Sequence, residues 1–152
     1  MRAELVDILH LFDEVLQELG QPGLLKNPLF AQKPHFDSEF YMPFELAQQS
    51  SNAIPIWFEL SQSGLTFYLD RTNEIPEWDY KTLMDNPEHV KQTIRNILTA
   101  WVLVDYKGQK TVLRLFNECG EQINQFTYWQ GIRLNFLKSS TFYLYQPILR
   151  CP

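Results

Sequence analysis

The 152-residue chain has only two cysteines, Cys119 and Cys151. Disulfide frameworks stabilise chains that are smaller and much richer in cysteine, so none is expected and a reduced, cytoplasmic setting is. Glycine is scarce as well, six in all, and no G-x-G-x-x-G or Walker-type run occurs. That excludes the glycine-rich cradle that holds nucleotide phosphates. The three histidines, His10, His35 and His89, are widely spaced, with no H-E-x-x-H or other close pairing. A metal site of short ligand spacing is therefore missing, and neither metal nor cofactor is expected. Long apolar runs are also missing. "WVLV" at 101–104 falls far short of the ~20 residues that a spanning helix needs. The opening "MRAELVDILHLFDEVL" interrupts its apolar positions with acids, so it reads as part of the fold and not as an export signal. Charged residues make up 20% and the net charge is −5. A nucleic-acid partner, which needs clustered Lys and Arg against phosphate, is not expected.

What is present is apolar and aromatic: 45% hydrophobic residues and 14% aromatic. That composition and length suit one folded domain over 1–152 with a sizeable core. Charge is unevenly divided. Residues 1–90 hold 15 acidic against 5 basic side chains, a balance of −10, and residues 91–152 hold 3 against 8, a balance of +5. Such asymmetry either marks a basic partner or reflects the surface that each half supplies.

Residues 2–19 predict an amphipathic helix. At ~100° per residue, Leu5, Ile8, Leu9, Phe12, Val15, Leu16 and Leu19 form one stripe, with Glu4, Asp7, Glu14 and Glu18 on another face. Gly20 and Pro22 end it. Residues 21–53 show no clear period. With Pro22, Pro28, Pro34 and Pro43 and many aromatics, they predict an irregular segment wrapping the domain, with a short helix beginning near Pro43.

"IPIWFELSQSGLTFYLD" at 54–70 predicts a hairpin. Its apolar face is Ile54, Ile56, Phe58, Leu60, Leu65, Phe67 and Leu69, and the other face carries Trp57, Glu59, Tyr68 and Asp70. The stretch 71–86 reads as a loop. Asn86, Pro87 and Glu88 then start a second helix over about 87–99. The remainder reads as strands: "WVLVDY", the turn "KGQK", "TVLRLF", "QINQFTYW", "IRLNFLK" and "TFYLYQPI". Together these predict an α+β fold, an antiparallel sheet of about six strands with two helices packed on it.

"NECGEQ" lies between two of these strands, and Asn117 and Gly120 are turn residues, so Cys119 is expected at a hairpin tip. Glu118 and Glu121 would raise its pKa, the opposite of what a nucleophilic thiol needs. The carboxylates are the other candidates. Glu59 and Asp70 sit on facing strands of the first hairpin, and Glu74, Glu77 and Asp79 follow with Trp78 among them. Three readings stay open: a solvated acidic rim, acid–base catalysis, and an acidic, aromatic binding surface.

An acidic α+β domain of this size, without catalytic motif or export signal, resembles the bacterial immunity proteins that neutralise toxins of contact-dependent inhibition and related polymorphic systems. The resemblance lies in size, charge and layout. It implies a non-enzymatic inhibitor that occludes the active site of a cognate protein toxin, a basic nuclease domain in many cases, in the cytoplasm. On that reading Glu59, Asp70, Glu74, Glu77, Trp78 and Asp79 are the partner contacts. Two alternatives are a type III-like secretion chaperone, which is also small and acidic with an N-terminal helix, and a small hydrolase whose site assembles in the fold.

Overall fold

The structure, a computed structural model, describes residues 3–21, 41–45, 51–61, 64–70, 72, 76–131 and 139–149. Helix α1 spans Ala3–Glu18 and ends where Gly20 takes a φ of 69°. Its apolar stripe is buried at Ile8, Phe12, Val15, Leu16 and Leu19, with Leu11 beside it. Gly20 N–H donates to the Gln17 carbonyl and Gln21 N–H to that of Leu16, so the last turn's free acceptors are used by the chain that follows.

Two antiparallel four-stranded sheets follow, where a single sheet of about six strands was expected. The first is ordered β1-β2-β3-β4, with β1 Tyr41–Glu45, β2 Ile56–Ser61, β3 Gly64–Leu69 and β4 Glu77–Asp79. The second is ordered β7-β6-β5-β8, with β5 Trp101–Lys107, β6 Lys110–Phe116, β7 Gln122–Trp129 and β8 Thr141–Tyr145. Between them in sequence lie α2, Tyr80–Asp85, and α3, Pro87–Thr99. The fold class is α+β, as expected.

The extra strands explain the difference. Around Pro43 the chain is extended as β1, not helical, and it pairs with β2 from Tyr41↔Ser61 to Glu45↔Trp57. Pro43 has no N–H to give to a ladder, which suits its place on an edge strand. Within the stretch read as a loop, Glu77–Asp79 pairs with β3 and Tyr80–Asp85 forms α2. The expected strand at 132–138 and most of the segment 22–50 lie outside the described residues.

One apolar cluster joins α1, β2 to β6, α2 and α3, with side chains of β7 and β8 packed against it. Phe12 of α1 stacks on Phe58 of β2 at 4.7 Å and on Phe67 of β3 at 6.2 Å. Trp78 meets Phe67 edge-on at 5.8 Å. From the second sheet come Val102, Val104, Leu113 and Leu115, and from α3 come Val90, Ile94, Ile97 and Leu98. The helices are also held by charge. Lys91 pairs with Glu14 and Arg95 with Glu18, both across the α1–α3 seam. Glu14, and then Glu88, hold the Lys91 ammonium above its usual range.

Pro87 opens α3 at its first position, while the Asn86 side chain makes no capping hydrogen bond. Gly108 supplies the positive φ, 60°, of the β5–β6 turn. The β6–β7 tip closes through Asn117, whose side chain accepts from Glu121 N–H at 2.9 Å, and Cys119 is exposed there. No described helix is long and apolar enough to cross a membrane.

Candidate functional site

Alternation along β2 and β3 divides their side chains between two faces. Ile56, Phe58, Leu65, Phe67 and Leu69 point into the core. On the opposite face Trp57 pairs with Tyr68, and Glu59 pairs with Thr66, which in turn pairs with Glu77 of β4. The Trp57 and Tyr68 rings are stacked, centroids 3.7 Å apart and planes within 2°. Tyr68 then donates its hydroxyl to Glu59 at 2.9 Å. The result is a stacked aromatic pair beside two carboxylates. Strand spacing sets Glu59 and Glu77 about 10 Å apart at their backbones, within one Debye length, with Thr66 between them. Thr66 is only 8% exposed, so neighbouring side chains cover it.

The six expected contacts divide accordingly. Glu59 and Glu77 share this face, Glu77 exposed and Glu59 half-buried. Asp79 follows on the same edge, but its carboxylate accepts from Thr82 N–H at 2.7 Å and caps α2. That bond holds Asp79 below its usual carboxylate range. Trp78 points inward between its two acidic neighbours and is 9% exposed, so its ring belongs to the core, not to a contact surface. Glu74 lies outside the described residues.

Asp70 leaves the face altogether. Continued alternation would have set it beside Tyr68, but its φ is 56°, a left-handed conformation that Asp tolerates better than most side chains. The turn sends its carboxylate toward the second sheet. There it accepts from the Tyr106 hydroxyl and, at 3.4 Å, from that of Tyr145. Desolvation, and then the Asp70 carboxylate, push the Tyr106 phenol well above its usual range. This cluster ties β3 to β5 and β8, so Asp70 joins the two sheets.

Trp57 and Tyr68 were absent from the expected contacts although their alternation placed them on the face. Their direct cross-strand pairing depends on register, which the "SQSG" turn alone does not set. His10 and His89 are exposed on separate helices, and His35 lies outside the described residues. Among the described residues no group of three or more His, Cys, Asp or Glu is placed to hold a metal ion. Comparison of the chain with protein-family models, with curated proteins and with solved structures gives no match in any of the three.

Proposed function

We propose that the chain is a binding protein of the immunity or inhibitor kind, acting by occlusion and not by turnover on a basic domain of another protein. The supporting observation is the outer face of the first sheet, where a rigid Trp57–Tyr68 stack lies beside Glu59 and Glu77. Aromatic pairs with few rotatable bonds are favoured anchors in interface centres, and acidic neighbours raise encounter rates with cationic surfaces. A guanidinium or ammonium group at the exposed Glu77 would meet a carboxylate with Glu59 nearby on the same face, while an aliphatic or aromatic neighbour packs against the stacked pair. Tyr68 holds the Glu59 carboxylate in place, so little side-chain freedom is lost on docking.

The test starts from the partner co-purified from the native host, with affinity measured at low and high salt. Glu59→Lys/Glu77→Lys is expected to weaken binding at least tenfold and to flatten its salt dependence. Trp57→Ala is expected to raise the dissociation rate while the association rate stays within about threefold. Unchanged affinity and salt dependence in the double reversal would place the partner elsewhere. Substrate turnover abolished by replacing one carboxylate or histidine would replace inhibition with catalysis.

A further inference from the structure

Each described sheet edge but one carries a feature that discourages pairing with another strand. Such features include proline, charge, a bulge or a very short strand. β1 contains Pro43 and ends on Glu45, and β4 has three residues, two of them acidic. β7 is polar at Gln122, Asn124, Gln125 and Thr127 and has a register shift opposite Leu115 and Phe116.

β8 has none of these. Its five residues, Thr141-Phe142-Tyr143-Leu144-Tyr145, are uncharged and pair with β5 without a bulge, and no described strand lies on its far side. Phe142, Tyr143 and Leu144 are 56%, 53% and 60% exposed. Tyr143 is braced by Tyr106, which meets it edge-on at 5.7 Å. Residues 52 and 53 reach only the end of the strand, through the Ala53↔Gln146 bridge.

From this edge we infer that β8 is a self-association site, pairing antiparallel with β8 of a second copy of the chain about a twofold axis at Tyr143. In that register Thr141 faces Tyr145, Phe142 faces Leu144, and Tyr143 faces its own counterpart. The exposed apolar side chains thus meet one another on both faces of a continuous eight-stranded sheet. Charge favours a second copy at this place. Each chain carries −5, so two copies approach best where charge is absent, and the sequence from Ser139 to Leu149 contains no ionisable acid or base other than the two tyrosines.

The three exposed side chains, at roughly 200 Å² each when free, cover on the order of 300–400 Å² per copy. The pair then buries roughly 700 Å² before backbone is counted, below the ~1,200 Å² of a standard stable interface. The dimer is accordingly weak and concentration-dependent. This inference is independent of the function proposed above.

Sedimentation velocity on the full chain, from about one to several hundred micromolar, provides the test. The wild type is expected to pass from monomer to dimer within that range. Tyr143→Lys and Tyr143→Glu each set like charges face to face and are expected to weaken the dimer at least tenfold. An equimolar mixture of the two variants is expected to dimerise again, which a merely misfolded variant could not do. Matching thermal melts for all three proteins check the fold. A wild type that stays monomeric overturns self-pairing and leaves the edge to a strand of another protein. A dimer that survives both substitutions also overturns it.

Discussion

Gly64 and Asp70 both take positive φ values, for different reasons. A Cβ built on Gly64, where φ is 147°, would lie 1.9 Å from the Trp78 carbonyl oxygen and 2.8 Å from the Asp79 Cα. Both are backbone atoms and cannot swing aside. Gly64→Ala is therefore expected to separate β4 from β3 and to lower stability by about 2–4 kcal/mol, read from chemical denaturation. Asp70 contributes differently: burial first, and then the Asp70 carboxylate as acceptor, keep the Tyr106 phenol neutral. A phenol whose folded pKa is raised stabilises the fold fully below its unfolded value near 10 and progressively less as pH rises above it. Unfolding free energy is thus expected to fall above about pH 10 with a slope of one proton from this residue. Tyr106→Phe is expected to remove that proton's share of the slope, measured by denaturation at pH 9 to 11. An unchanged slope would place the effect elsewhere.

α1 and α3 were legible in the sequence because an apolar period repeated over three or more turns averages out local noise. The α3 boundaries, Pro87–Thr99, follow from proline at the first helical position. β5, β6 and β7 were legible from alternation punctuated by Gly108 and Gly120. β4 was not, since three residues cannot display a period, and "EWD" between Pro76 and a helix reads as loop. β1 was not legible either, because Pro43 suggests a helix start as readily as an edge strand, and its pairing with β2 is a long-range fact. The same limit applied to the site: alternation placed Glu59 on the outer face, but no local rule shows that Asp70 turns away. The secure period of α1 makes a sharp prediction. Phe12 is 1% exposed and stacks on both Phe58 and Phe67, so Phe12→Ala is expected to cost about 3–5 kcal/mol. Glu14→Gln, which breaks a surface-edge ion pair to Lys91, is expected to lower the denaturation midpoint far less than Phe12→Ala does, and less still at high salt.

The division of charge along the chain has a partly internal use. Lys91 and Arg95, two of the basic residues in the second half, are bound to Glu14 and Glu18 of the first. Asp70 is likewise held by two hydroxyls of the second sheet. Of the six expected contacts, Glu59 and Glu77 stay on the outer face of the first sheet, while the exposed apolar edge belongs to the second. Because the acidic face and β8 lie on different sheets with no shared side chain, their energetics should add. Tyr143→Lys should leave partner affinity per chain within about twofold of wild type, and Glu59→Lys/Glu77→Lys should leave the dimer constant within a similar range. Titration of partner at chain concentrations below and above the dimer transition measures both. Coupling beyond about tenfold would mean that the partner spans the two sheets or that pairing at β8 reshapes the first one, and the two surfaces would then have to be treated as a single site.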